Sequence, residues 1–210
     1  MYIPKHFLVE DEAEKIAFIR SNSFGILISN HENEVVGSHI PMHIETENNQ
    51  IRILGHVSAS NLQWKSFEEN ESSLAIFQGS HAYISPSLYE EKQSVPTWNY
   101  SAVHAYGKII IITGSEAKTQ ILEKMIRDYE PDYLEHWQNF PNEFKEKMLK
   151  GIVAFEMVVT KLEGKFKLSQ NKTMEDQKNV ADHLLNAQSE VISDVGKAMK
   201  DRLKIVSDRQ

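Results

Sequence analysis

The chain has no cysteine among its 210 residues. Disulfides, thiolate metal sites and cysteine nucleophiles are therefore excluded. That composition suits a reducing compartment such as the cytoplasm. Long apolar runs are also missing. The longest, Ile109–Ile112, is of strand length, against the roughly 20 residues that span a bilayer. The N-terminal MYIPKHF lacks an extended apolar segment, so it does not read as a secretory signal. No GxGxxG, P-loop or GxSxG occurs, which leaves Rossmann, Walker and serine-hydrolase chemistry without their fingerprints. There is no HExxH either. His39 and His43 flank Pro41 in SHIPMH, a stretch that reads as strand. Four strand residues span roughly 13 Å, too far for the pair to share one ion, so no metal site is expected. Positive charge is scarce: 23 Lys and Arg against 30 Asp and Glu give a net −7. That balance argues against a surface that broadly coats nucleic acid, though a local basic patch stays open.

What is present is ordinary for a globular protein: 40% hydrophobic and 25% charged residues. The length allows one domain with a small helical appendage. The chemistry concentrates in Ile53–Lys65, ILGHVSASNLQWK. It begins with strand alternation and changes to small polar residues at Ser58, Ser60 and Asn61. Asn61 is placed to cap a short helix over Leu62–Phe67. A strand, a small polar turn and a helix start offer backbone N–H groups to an anion, with Lys65 beside them. His56 and Trp64 are placed to meet a ring. The residues also fit an ordinary strand-to-helix junction, and the stretch alone leaves both open.

Along the chain, Asp11 and Glu14 fit a capping box for a helix through Arg20. Strands are expected at Phe24–Ser29 and Val35–Glu45, with HENE and TENNQ as turns. Ser73–Gln78 and Ala82–Ser85 read as two further strands, Val103–Thr113 and Gly151–Glu163 as two long ones. Ser115–Tyr129 and Pro141–Lys150 read as helices. From Thr173 the pattern is helical, with Gly196 and the Asn186–Ser189 stretch as candidate breaks. Many strands with interspersed helices predict an antiparallel barrel.

Two more stretches carry aromatic and amide groups: FQGSHAYIS, with His81 and Tyr83, and VPTWNYSAVHAY, with Trp98, Asn99 and Tyr100. Such groups fit a core or interface as well as a flat heteroaromatic ligand. KLEGKFKLSQN closes the last strand. Its Lys165 and Lys167 are expected to face outward, and Gln170 follows.

Taken together, MYIPKHF, SHIP, GHVSASNLQW, FQGSHAYISPS, VPTWNY, VHAYG and EGKFKLSQN resemble the PaiB family from Met1 to about Asn171. These are FMN-binding negative transcriptional regulators, related to pyridoxamine-phosphate-oxidase-like split barrels. The resemblance implies a mainly β fold with α, an antiparallel FMN-binding split β-barrel over 1–171. Flanking helices and a C-terminal helical extension over 172–210 complete it. It also implies a cytoplasmic homodimer that holds FMN between subunits. Ser38, His39 and Pro41 would lie along the flavin ring and ribityl chain. His56, Ser58, Asn61 and Lys65 would hold the phosphate end. Trp98, Asn99, Tyr100, Lys167 and Gln170 would come from the partner subunit. Related oxidases place an arginine beside a lysine at the phosphate, whereas only Lys65 is close here.

No catalytic base or substrate can be read. A flavin-dependent oxidoreductase and a haem-handling barrel stand beside the regulator as alternatives. Residues 165–210 carry nine Lys or Arg and seven Asp or Glu, or +2, which leaves 14 − 23 = −9 for the rest. Any DNA contact is therefore expected in the tail.

Overall fold

Seven strands and six α-helices make up the regular structure of residues 1–91 and 93–207, which the computed structural model describes, with side chains to Lys204. The strands are β1 (Leu8–Val9), β2 (Phe24–His31), β3 (Glu34–Glu47), β4 (Gln50–Ser58), β5 (Ser73–Ile84), β6 (Thr97–Ile112) and β7 (Ile152–Lys167). The helices are α1 (Glu12–Ser21), α2 (Ser115–Tyr129), α3 (Tyr133–Gln138), α4 (Asn142–Lys150), α5 (Met174–Leu185) and α6 (Glu190–Ser207). Hydrogen-bonded neighbours run β1-β7-β4-β3-β2-β5-β6, and a further β7–β6 pairing closes the ring. Every pairing with a defined register is antiparallel. The expected antiparallel split barrel is the observed fold.

The registers follow from a period of two. β2 buries Gly25, Leu27 and Ser29, β3 buries Ile40, Met42 and Ile44, and β4 buries Ile51, Ile53, Gly55 and Val57. Both hairpin turns are two-residue loops with left-handed backbone: Glu32 (φ 51) with Asn33 (φ 66), and Asn48 (φ 51) with Asn49 (φ 63). Asparagine tolerates that region better than most residues, and such turns match strand twist. They set the register of β3 against both neighbours.

Several boundaries differ from expectation. Ser73–Gln78 and Ala82–Ser85 are one strand, because the polar Gln78–His81 run lies exposed or half-buried along β5 instead of turning. β6 starts at Thr97, well before Val103. The Leu62–Phe67 helix is a five-residue 3₁₀ turn, Leu62–Ser66. α3, which follows Pro131, had no counterpart among the expected elements. In the tail the break falls at Asn186–Ser189, and Gly196 stays inside α6. A Cβ at Gly196 would meet Leu185 N at 2.7 Å and Ala181 O at 3.0 Å, so the missing side chain is what lets α5 and α6 approach.

The chain forms two compact units. One combines Met1–Glu12, Gln78–Val103 and the chain from Glu163 onward; the other combines Ala13–Phe77 with His104–Leu162. In the second, Leu27, Met42, Ile53, Phe67, Phe77, Phe155 and Met157 are almost wholly buried. Across β4 and β7 from that core, Leu54 and Ala154 pack against Ile121 and Met125 of α2. In the first unit the core is Phe7, Val9, Ile84, Phe166, Leu168, Val180, Leu184, Val195 and Met199. Among the described residues no helix is long and apolar enough to cross a membrane.

Candidate functional site

In the unit of Ala13–Phe77 and His104–Leu162, Asn61 bonds Ser38 of β3 and Ser66 bonds His31 of β2 across the turn after β4, and one side chain, Gln63, reaches both strands. It is 1% exposed. Its Nε2 donates toward Leu27 O (3.1 Å), Ser29 Oγ (3.0 Å) and Val36 O (3.2 Å). Its Oε1 accepts from Ser38 Oγ at 2.6 Å, and Ser38 Oγ in turn accepts from Asn61 Nδ2 at 2.7 Å. Asn61 Oδ1 closes the circuit by accepting from Gln63 N at 3.1 Å, which is the expected cap. Ser38 and Asn61, expected at different ends of a flavin, are thus hydrogen-bonded to one another and share a glutamine that was not among the expected site residues. Its signal was a polar residue two positions after a capping asparagine.

The turn does not present the open N–H row that its sequence suggested. Ala59 N donates to Gly151 O (2.9 Å), Ser60 N to Ser58 Oγ (3.2 Å), and Asn61 N to Ser58 O (2.9 Å). A five-residue 3₁₀ turn also has too few aligned peptides for a useful dipole. Trp64 braces the turn by donating from Nε1 to Ala59 O at 3.0 Å. What faces solvent is the Ser58 hydroxyl, the Lys65 ammonium and, on β3, His39. His43 is held by Asp128 (Nδ1 to Oδ2, 2.5 Å) and lies near Glu45 (3.6 Å).

Pro41 and His56 meet at a cavity of about 400 Å³ whose remaining wall is Leu122, Met125, Ile126, Tyr129, Glu130, Tyr133 and Trp137. Apolar residues dominate it, and the size suits a small cofactor. Two buried polar atoms on its wall have no hydrogen-bond partner: His56 Nδ1 and Trp137 Nε1. Burial lowers the His56 pKa from its ordinary value of 6.5, so the ring is held neutral at pH 7. The α2 and α3 side of this cavity was not expected. Trp137 in YLEHWQ was its one signal, a bulky aromatic in a polar helical stretch.

The other unit holds the remaining expected residues. Trp98 is 53% exposed and Tyr83 52%. The Trp98 ring lies 6.0 Å from His81 and 5.9 Å from Tyr83, an exposed aromatic cluster on β5 and β6. Lys167 Nζ donates to Trp98 O (2.8 Å) and to Thr97 Oγ1. Lys165 does not face outward: it is 8% exposed, donates to Tyr2 O (3.2 Å) and lies over the Tyr100 ring (5.2 Å). Burial of the strand end, with aromatic faces in place of water, overrides the simple alternation. Gln170 is spent on the backbone, accepting from Leu168 N (2.6 Å) and donating to Phe166 O (2.5 Å). Asn99 is fully buried and donates to Ser169 Oγ at 2.9 Å.

Residues 1–161 match the family model described as "Putative FMN-binding domain". The chain is 37% identical over 206 residues to protease synthase and sporulation protein PAI 2 of Bacillus subtilis, covering 97% of this chain and 99% of that one. An uncharacterised protein of Emericella nidulans is 30% identical over 204 residues, 77% of this chain and 81% of its own. Among solved structures, the flavocytochrome Anf3 of Azotobacter vinelandii superposes with a TM-score of 0.63 at 11% identity, over 79% of this chain and 72% of that one. The FAD and heme binding protein of Mycobacterium smegmatis gives 0.59 at 10%, over 76% and 73%. These two likenesses speak to the fold. The family match and the full-length relative carry the rest: the chain belongs to the PaiB family.

Proposed function

We propose that this PaiB-type protein binds FMN as a cytoplasmic homodimer and acts as a negative transcriptional regulator. The carrying observation is the cavity at Pro41 and His56, with His56 Nδ1 and Trp137 Nε1 unmet on an apolar wall. A flavin ring has the complementary make-up, an apolar body with donors and acceptors along one edge. Trp137 Nε1 has a proton to give a ring carbonyl, and neutral His56 can give or take one according to tautomer. Pro41 and Met125 offer apolar surface to the ring. Ser58, Lys65 and His39, which face solvent, are the groups assigned to the phosphate end. Ser38 and Asn61 set the wall behind them. From a partner subunit, Trp98 and Tyr100 are assigned to stacking. A bound flavin would supply electron-transfer chemistry, and an oxidoreductase remains the alternative role.

The same reading treats 1–171 as the flavin domain and 172–210 as its extension. The extension is the element assigned to DNA. Lys197, Lys200 and Lys204 already meet Asp194 (2.8 Å), Asp182 (2.7 Å) and Asp201 (3.1 Å). Among the described residues these three lysines of the extension are already paired, so few phosphate contacts are expected and the DNA affinity should be weak with a shallow salt dependence.

Fluorescence titration with FMN and riboflavin tests the reading. FMN binds more tightly, and Lys65→Ala weakens FMN by about tenfold while sparing riboflavin, since a charge-assisted hydrogen bond is lost. Equal affinities in the wild type remove the phosphate assignment. Failure of both flavins to bind removes the cofactor assignment. A Soret band in the purified protein would favour haem.

A further inference from the structure

Below Trp98 lies a smaller cavity of about 160 Å³, walled by Tyr89, Thr97, Asn99, Lys167, Ser169 and Lys172. Two of its wall groups are buried polar atoms without partners. Asn99 is 0% exposed; its Nδ2 is bonded to Ser169 Oγ and points also at Met199 Sδ (3.5 Å), but its Oδ1 meets no donor. Tyr89 is 3% exposed; its hydroxyl lies close enough to the Ser169 side chain to interact with it but makes no well-formed hydrogen bond, and Asp176 acts on it only through its charge. Unmet buried polar groups are rare and costly, and two on one small cavity call for a ligand that meets them.

The charges say what kind. Lys167 Nζ uses two donors on Thr97 and Trp98 and has a third to give. Burial, and then the charge of Lys165, lower its pKa, a strain that an anion in the cavity would relieve. Lys172 Nζ sits 4.1 Å from the centroid of the Tyr89 ring and has no carboxylate partner among the described residues. On the other side of Tyr89 is Asp176, which is buried and accepts from Glu90 N at 2.9 Å. Two wall lysines against one aspartate leave a single positive charge. Ser169 is held at φ 67, a left-handed backbone that is uncommon for a residue with a side chain. Strain of that kind gathers at binding sites, and here it aims the Ser169 hydroxyl at Asn99.

We propose that this cavity binds a small hydroxycarboxylate. The carboxylate meets Lys167, Lys172 and the Tyr89 hydroxyl, and the ligand's own hydroxyl donates to Asn99 Oδ1. A volume of about 160 Å³ corresponds to roughly five liquid waters at ~30 Å³ each. That holds a three-carbon acid and excludes a tricyclic flavin, so Asn99 and Lys167, which the family resemblance assigned to FMN, are here given to the smaller ligand instead.

The test is a titration of the full-length protein with L-lactate, followed by amide NMR shifts and calorimetry. Propionate, which lacks the hydroxyl, and lactamide, which lacks the charge, are the controls. Lactate is expected to give saturable shifts at residues 97–99 and 167–172, with each control weaker by about tenfold. Lys172→Met and Tyr89→Phe are expected to weaken lactate about tenfold and about fivefold respectively, with melting temperature and FMN affinity unchanged. No saturable shift with lactate overturns the proposal. So do controls that bind as well as lactate, or variants that bind lactate like the wild type. Loss of FMN affinity in Lys172→Met would assign the cavity to the flavin and also overturn it.

Discussion

Replacing Gln63 by leucine removes the side chain that joins the β4 turn to β2 and β3 while keeping its bulk. The wild-type amide serves Leu27 O, Ser29 Oγ, Val36 O and Ser38 Oγ at 2.6–3.2 Å. Ser38 keeps Asn61 as a partner and Val36 is half-buried, so their losses are soft. Leu27 and Ser29 are 0% and 4% exposed, and water cannot replace the amide there. Two unmet buried groups cost about 1–3 kcal/mol each. The apolar leucine returns about 1–2 kcal/mol, leaving a net destabilisation centred near 2.5 kcal/mol, to about the precision of those ranges. At this chain length about 1 kcal/mol shifts the melting point by ~2–4 °C, so the expected drop is about 5–10 °C. Gln63→Glu should be worse than leucine, because it aims a carboxylate at two backbone carbonyls. Differential scanning calorimetry with a parallel denaturant titration measures both variants. Destabilisation of Gln63→Leu below about 0.5 kcal/mol, the range of an ordinary surface change, would show that the network is not what holds the turn. FMN affinity measured on the folded fraction should fall with stability, since Ser38 and Asn61 lose their brace together.

His56 gives a pH dependence. Its folded pKa lies below the ordinary 6.5, so the unfolded chain binds the proton first. Stability is therefore full above about that value and is lost as pH falls from there toward the depressed folded pKa. His56→Gln should flatten that limb of a melting-temperature profile, and an unchanged profile would refute the assignment. Gly107→Ala should destabilise sharply, because a Cβ there would meet Val158 O at 2.2 Å and backbone cannot step aside; a wild-type melting curve would contradict the packing. Truncation after Asn171 tests whether 172–210 is separable. The expected product keeps its strand circular dichroism and loses dimerisation or DNA retention in a mobility-shift assay, and outright unfolding would make the tail part of the core.

The strand content was legible because short apolar stretches in β2, β3 and β4 are separated by polar turns, and three of the four left-handed turn positions are asparagines. β5 was read as two strands because Gln78–His81 is polar; a barrel wall that faces solvent on one side has no need of apolar residues there. Of the two candidate breaks in the tail, Asn186–Ser189 is the one that separates α5 from α6. Gly196, the other candidate, is a contact glycine, and sequence cannot separate a glycine that ends a helix from one that lets a neighbour in. Of the cavity's wall, Pro41 and His56 were named from motifs, but Leu122, Met125 and Trp137 lie some eighty residues further along the chain. Nothing local to α2 or α3 says which strand they will cover. Gln63 was missed because a buried glutamine looks in sequence like any exposed one.

The β7–β6 pairing that closes the sheet has a consequence for synthesis. β7 is the last strand made, and it bonds β4 as well as β6. Until residues 152–167 have left the ribosome, β4 and β6 are open edges able to pair with any other extended chain. The long sequence separation between β4 and β7 adds a loop-closure cost, so the closing step is expected to be slow. Nascent chains stalled before Ile152 should therefore be the form that aggregates or recruits chaperones, while a few dozen residues more should end that hazard.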